Sequence, residues 1–169
     1  MRAPVIMVHG AFCGGWTFDA FRAPFEAAGH AVLTPDLIGH DGASGVTGVS
    51  MTDYARQITR LVEACEIPPI LIGHSMGGLV AQMAASRARV SKLILLAPSA
   101  PWGVSGASLE EAASAVSLYA LGPYWLQAVA PDYGVVRRYS VDRLPRPARK
   151  AIFARMTAES GRALWETLN

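Results

Sequence analysis

The chain has 169 residues, 51% of them hydrophobic and 17% charged, which predicts one globular domain with a sizeable core. No apolar run reaches the roughly 18 residues of a membrane span, and the N-terminus lacks the regions of a signal peptide. The two cysteines show no metal-type spacing, and the net charge of +2 comes without a nucleic-acid-binding motif. We expect a cytoplasmic protein with no metal, cofactor, membrane or nucleic-acid partner.

The first hundred residues alternate between strand and helix patterns. Short apolar runs predict strands at 5–8, 31–33, 70–72 and 93–96. Between them, helices are predicted by the spacing of Phe18, Phe21 and Phe25, by a capping box at Ser50 and Asp53, and by the apolar positions after Ser75. Continuous apolar strands separated by helices predict an α/β fold, a mostly parallel open sheet of at least four strands with helices on both faces.

The pattern changes after Pro98. Ser108 and Glu111 have the spacing of another capping box. Several prolines divide the rest into short helical pieces, and no further strand of the earlier kind is predicted. We therefore expect a core at 1–100 and a helical excursion at 101–169.

One motif follows a predicted strand and opens a predicted helix, namely Gly73-His74-Ser75-Met76-Gly77-Gly78. A nucleophile elbow needs this arrangement, because its serine sits on a strained strand-to-helix turn with the hydroxyl exposed. The plain alternative is a serine that caps a helix in an ordinary α/β domain. The match of context to motif favours Ser75 as a catalytic nucleophile.

A second segment, His9-Gly10-Ala11-Phe12, follows the first strand. Acyl transfer needs two N–H donors that hold the tetrahedral oxyanion. One donor belongs to the residue after the nucleophile, here Met76, and the other to a loop after an earlier strand, where Ala11 is well placed. We read His9 as a histidine that forms local hydrogen bonds and shapes this loop, rather than as a catalytic base.

These residues resemble the α/β-hydrolase superfamily, and in particular its compact branch of methylesterases and hydroxynitrile lyases. Besides the elbow, the resemblance rests on Met7-Val8-His9-Gly10-Ala11 with Gly14-Gly15-Trp16, on Ala28-Gly29-His30-Ala31-Val32, and on Pro35-Asp36-Leu37. It implies a serine hydrolase acting on small-molecule carboxylic esters, without a cofactor or metal. It also implies substrate contacts by Phe12 and His74, and a cap formed by 101–169.

The chain departs from this family at the triad, whose order is Ser, then Asp or Glu, then His. All four histidines, His9, His30, His40 and His74, precede Ser75. The downstream carboxylates follow no recognisable strand; they are Glu110, Glu111, Asp132, Asp142, Glu159 and Glu166. Of the histidines, His40 in a mobile-looking loop is the least implausible substitute. We expect an incomplete α/β-hydrolase fold, truncated in its cap and inactive alone.

The missing triad members leave other interpretations open. The same scaffold carries C–C hydrolases, cofactor-free haloperoxidases and lyases, and the chain alone is also consistent with a non-catalytic fragment. The strand at 93–96 would pair with the elbow strand on one side only. Its open edge predicts either self-association or binding of a complementing C-terminal segment.

Overall fold

The fold is that of a computed structural model, which describes residues 2–42, 45–101, 104, 118 and 120–168. Four strands form one sheet: β1 (Val5–Val8), β2 (Val32–Leu33), β3 (Ile70–His74) and β4 (Lys92–Leu96). Every pairing is parallel, and the order is β2-β1-β3-β4. The predicted parallel sheet is therefore confirmed.

Helices cover both faces of this sheet, as the sequence predicts. A short 3-10 helix (Gly15–Phe18) and α1 (Asp19–Ala27) lie on one face, where Phe18 packs with Val5 and Met7. The helices α2 (Met51–Glu63) and α3 (Met76–Ala85) cover the other face, against Ile6 and Val8. The alternation along β1 follows from the two-residue period of a strand.

The residues predicted to start or end helices lie at helix ends in the structure, with one exception at Pro24. Ser50 caps α2 and forms the full capping box with Asp53: each side chain accepts the other residue's backbone N–H. Pro24 lies inside α1, yet the helix continues to Ala27. Gly29 then adopts φ +82°, a conformation that favours glycine, and ends this part of the chain before β2.

Beyond Pro98 the described chain contains a 3-10 helix (Tyr124–Leu126), α4 (Tyr133–Tyr139), α5 (Arg146–Phe153) and α6 (Gly161–Leu168). It also contains two very short antiparallel strands, β5 (Ala128–Val129) and β6 (Glu159–Ser160). Two-residue strands leave no apolar pattern, so the sequence does not reveal them. The capping box predicted at Ser108 and Glu111 lies outside the described residues.

The C-terminal segment returns to the sheet core. Ala163 of α6 is fully buried in the same cluster as Tyr54 and Ile58 of α2. Glu166 accepts the backbone N–H of Met51 at 2.8 Å, which occupies an otherwise open donor at the start of α2. Among the described residues, no helix is long and apolar enough to cross a membrane.

Strand β4 lies at one edge of the sheet and is much more exposed than the central strands β1 and β3. Leu93, Ile94 and Leu95 are 37%, 36% and 36% exposed, whereas all four residues of β1 are fully buried. Within the described part of the chain, β4 pairs only with β3. This strand therefore presents an open backbone edge together with apolar side chains.

Candidate active site at the Ser75 elbow

Ser75 connects β3 to α3 in a strained conformation. Its φ of +53° and ψ of −126° lie outside the regions that non-glycine residues ordinarily adopt. Three backbone hydrogen bonds hold it there: its N–H donates to Leu96 O at 3.1 Å, and its C=O accepts from Gly78 at 2.8 Å and Ser99 at 2.9 Å. The strand–turn–helix context predicted for the motif is present, and the strain is the kind that nucleophile elbows carry.

Glycines let the loop after β1 run directly against this elbow. A Cβ on Gly77 would overlap the backbone oxygens of Val8 and His9. A Cβ on Gly10 would lie 3.0 Å from the Cβ of Ser75. The segment from His9 to Phe12, here called the oxyanion loop, therefore lies beside Ser75, and larger residues at Gly10 or Gly77 would push it away.

The two predicted oxyanion donors flank this contact. Ala11 follows Gly10 in the oxyanion loop, and Met76 is the first residue of α3 with its side chain buried. Neither the Ala11 N–H nor the Met76 N–H has a hydrogen-bond acceptor among the residues that the structure describes. A free N–H at a helix N-terminus favours negative charge nearby, so both groups are available to an oxyanion.

The two predicted substrate contacts differ in their surroundings. His74 is exposed, directly before Ser75. Phe12 is half-buried and packs against a small cluster of Tyr124, Val129 and Leu164 from the C-terminal part of the chain. Phe12 also has φ +63°, so the elbow and the oxyanion loop, which lie side by side, each hold a non-glycine residue at positive φ.

His9 is fully buried and engages both of its ring nitrogens. Its Nε2 accepts the N–H of Leu37 at 2.9 Å, which leaves the proton on Nδ1, 2.9 Å from Gly10 O. Burial lowers the pKa of His9 to about 4, and the neighbouring His40 ring adds to the effect. His9 is thus a neutral residue that shapes the oxyanion loop, as the sequence predicts.

His40 contradicts the expectation of a mobile loop. Its side chain is buried; its Nδ1 lies 3.3 Å from Ile38 O and its Nε2 lies 3.1 Å from Oε2 of Glu159. The Nε2 approach is an ion-pair contact whose angles fall short of a good hydrogen bond. Burial acts to lower the pKa of His40, but contact with the Glu159 carboxylate outweighs it and raises the pKa. Both nitrogens face other partners, so the geometry does not favour His40 as a base for Ser75.

Glu159 is the residue that sequence reasoning missed. It lies in β6, fully buried, where the sequence showed only a carboxylate without a strand. Its Oε1 accepts from Tyr54 Oη at 2.6 Å and from Ser160 N at 2.8 Å, and its Oε2 accepts from Phe12 N at 3.3 Å. Tyr54 and Phe12 are 105 and 147 residues away in sequence, so no local pattern could have revealed these contacts.

Of the other downstream carboxylates, two form hydrogen bonds within the described structure and two lie outside the described residues. Asp132 caps α4 by accepting the N–H of Val135, and Glu166 pairs with Arg162 besides binding Met51 N–H. Glu110 and Glu111 lie outside the described residues. In the described part of the chain, no group of three or more His, Cys, Asp or Glu side chains could hold a metal ion.

The lowered pKa of His9 predicts a loss of stability in mild acid. The unfolded chain binds a proton near the ordinary value of 6.5 whereas folded His9 does so only near 4, so stability present above pH 6.5 is lost as the pH falls toward 4. The loss is about 3 kcal/mol in the free energy of unfolding. The raised pKa of His40 makes the stability fall as the pH rises above 6.5, so it does not offset the loss in acid.

Urea unfolding at several pH values between 7 and 4 measures this change. The variant His9→Gln has no proton-binding ring, so its stability is expected to vary much less over the same range. A wild-type stability that stays flat from pH 7 to 4.5, or an equal slope in the variant, would contradict the neutral buried state of His9.

Comparison with known proteins places this site in a family. The model of the alpha/beta hydrolase family matches residues 5–168. The chain belongs to that family. The match includes the sheet, the oxyanion loop, the elbow and the returning C-terminal segment, so the resemblance inferred from the motifs is confirmed.

The relatives include esterases. The chain is 38% identical over 88 residues to a carbendazim hydrolyzing esterase of Nocardioides sp. (strain SG-4G), a match that covers 50% of this chain and 36% of that protein. It is 32% identical over 107 residues to Methylesterase 7 of Arabidopsis thaliana, covering 57% of this chain and 40% of that protein. The matched region thus spans well under half of either relative.

A solved structure shows the same fold over nearly the whole chain. An extracellular alpha/beta-hydrolase from a Paenibacillus species superposes with a TM-score of 0.76 at 21% identity, covering 94% of this chain and 67% of that one. At this identity the similarity is evidence for the fold. The chain therefore has a partial α/β-hydrolase fold, and about a third of that neighbour has no counterpart in it.

Proposed function

We propose that this chain carries the nucleophile and the oxyanion donors of a serine hydrolase acting on small-molecule carboxylic esters. The observation that carries the proposal is the backbone of Ser75, with φ +53° and ψ −126° between β3 and α3. A strained serine is retained where the surrounding structure over-determines it, and such strain concentrates at functional sites. The ester class is supported by relatives that are named an esterase and a methylesterase.

In this proposal Ser75 Oγ attacks the ester carbonyl carbon while a base takes the hydroxyl proton. The carbonyl oxygen becomes an oxyanion, which accepts the Ala11 and Met76 N–H groups. Collapse expels the alcohol, which takes up the proton, and leaves an acyl group on Ser75. Water then attacks the acyl carbon with the same base, releasing the acid and restoring Ser75.

We propose that the base and its orienting acid come from polypeptide outside this chain. Both His9 nitrogens have hydrogen-bond partners, and His40 faces Glu159 and Ile38 O. Without a base, Ser75 is a weak nucleophile at neutral pH. The open edge of β4, with Leu93, Ile94 and Leu95 exposed, is the proposed binding place for the complementing segment, or for a second copy when that segment is absent.

A substrate panel tests the ester assignment on the complemented protein. We expect hydrolysis of p-nitrophenyl acetate, but no cleavage of a β-diketone or a cyanohydrin, since the ester class is the one that the relatives named an esterase and a methylesterase support. Diketone or cyanohydrin turnover that disappears in Ser75→Ala, with no ester turnover, would instead assign a C–C hydrolase or a lyase.

A further inference from the structure

Glu159 has no role in the acyl-transfer scheme, yet it is a fully buried carboxylate in contact with the oxyanion loop. Burying a carboxylate is costly unless hydrogen bonds and an opposite charge compensate for it. Here its two oxygens contact four groups, three from distant parts of the chain and one from the next residue. They are Phe12 N–H, the His40 ring, Tyr54 O–H and Ser160 N–H.

The contact with Phe12 is half of a two-point attachment. The Phe12 N–H donates to Glu159 Oε2 at 3.3 Å, while the Phe12 C=O accepts from Thr157 N–H at 3.0 Å. Both polar backbone groups of Phe12 are therefore bound by the segment 157–159. Phe12 is a non-glycine residue at φ +63°, and such a conformation persists only when the surrounding structure imposes it.

The segment that binds Phe12 is itself fixed to the core. Ser160 Oγ donates to Val49 O at 2.6 Å, and Gly161 N–H donates to Gln127 O at 3.0 Å. The ring of Phe12 packs on Tyr124 and Leu164, which belong to the same side of the molecule. The oxyanion loop is thus held on one side by Gly10 against Ser75 and on the other by residues 157–164.

We propose that Glu159 is a positioning residue that locks the oxyanion loop, holding the Ala11 N–H beside Ser75 through its hydrogen bond to the adjacent Phe12 N–H. The proposal rests on the proposed function of Ser75 and Ala11. In this role Glu159 neither contacts the substrate nor transfers a proton. Its carboxylate acts by accepting hydrogen bonds from Phe12, Tyr54 and Ser160 at the same time.

The substitution Glu159→Gln tests this requirement with little change in volume. A glutamine side chain has one oxygen and one NH₂ group, so one of the N–H donors of Phe12 and Ser160 would face another donor. The matched control is Tyr54→Phe, which removes the 2.6 Å hydrogen bond to Oε1 but leaves the carboxylate and its contact with Phe12. Both variants alter buried polar interactions, but only Glu159→Gln changes the group that accepts the Phe12 N–H.

Two readouts separate positioning from stability, and both are made on the full chain complemented with the segment that carries the triad aspartate and histidine. Hydrogen exchange of the Phe12 amide, followed by NMR, reports the attachment itself. The rate at which excess fluorophosphonate modifies Ser75, followed by mass spectrometry, reports the oxyanion hole. We expect Glu159→Gln to speed Phe12 exchange about tenfold and to slow Ser75 modification by roughly tenfold or more, a fraction of the loss seen when an oxyanion donor is removed outright. Tyr54→Phe should change each by less than about threefold, although its melting temperature falls.

Folded Glu159→Gln protein that reacts at the wild-type rate would overturn the proposal, as would an equal loss in Tyr54→Phe. A folded and complemented chain whose Ser75 does not react at all would contradict the proposed function instead. Unchanged hydrogen exchange of the Phe12 amide in Glu159→Gln would also overturn the proposal, because it would show that Glu159 does not hold the loop.

Discussion

Turnover of p-nitrophenyl acetate is expected to rise by about 10³-fold or more when the chain is supplied with a segment carrying the triad aspartate and histidine. The chain alone should work little above background, because His9 and His40 face other partners, and no hydrogen bond joins a histidine to Ser75 among the described residues. The segment is the sequence encoded after residue 169 or, failing that, the C-terminal part of the carbendazim hydrolyzing esterase. Initial rates with and without it give the ratio.

Ser75→Ala with the same segment is the control, and it should return the rate to background. Robust turnover by the chain alone, lost in Ser75→Ala, would contradict the account by showing that a base lies within these residues. Light scattering of the same samples tests the β4 edge. We expect self-association without the segment and a one-to-one complex with it, since the segment would cover Leu93, Ile94 and Leu95.

A side chain at Gly77 is expected to be the most damaging small change in the elbow. The added Cβ of Gly77→Ala would overlap the backbone oxygens of Val8 and His9, which have no flexible end that could move aside. We expect a loss of about 3 kcal/mol in the free energy of unfolding, a fall of roughly 6–12 °C in the melting temperature. Because α3 and the oxyanion loop must separate, Ser75 should also lose reactivity.

Gly45→Ala is the matched control, because a Cβ at Gly45 meets no atom of the described residues within 4 Å and its backbone is not in the left-handed region. Its melting temperature should stay within about 2 °C of the wild type. Thermal unfolding of the two variants side by side makes the comparison. Equal stability of both would mean that the loop after β1 does not lie against α3 as described.

The sequence predicts those parts of this fold whose signals are local. Four apolar runs predict the four strands, and the Ser50–Asp53 capping box predicts the start of α2. The motif around Ser75 likewise predicts its own strand–turn–helix context. Each of these features depends on residues close together in the chain, where hydrophobic periodicity and capping chemistry act directly.

The surroundings of Glu159 show what local patterns cannot predict. The carboxylate meets Phe12, His40 and Tyr54 only after the chain has folded back on itself, and its own strand has two residues. The same long-range contact explains why the interpretation of His40 as part of a mobile loop was wrong. The sequence around His40 and Glu159 does not show that the two side chains form a buried pair; only the tertiary structure does.

Ser75 is the proposed active-site nucleophile, and covalent labelling is the most direct test of that role. The complemented protein is treated with a fluorophosphonate probe, digested and examined by mass spectrometry, beside Ser75→Ala and a Ser99→Ala control. We expect one adduct on the peptide containing Ser75, its loss in Ser75→Ala and its retention in Ser99→Ala. An adduct on any other serine, or no adduct on a folded and complemented chain, would contradict it.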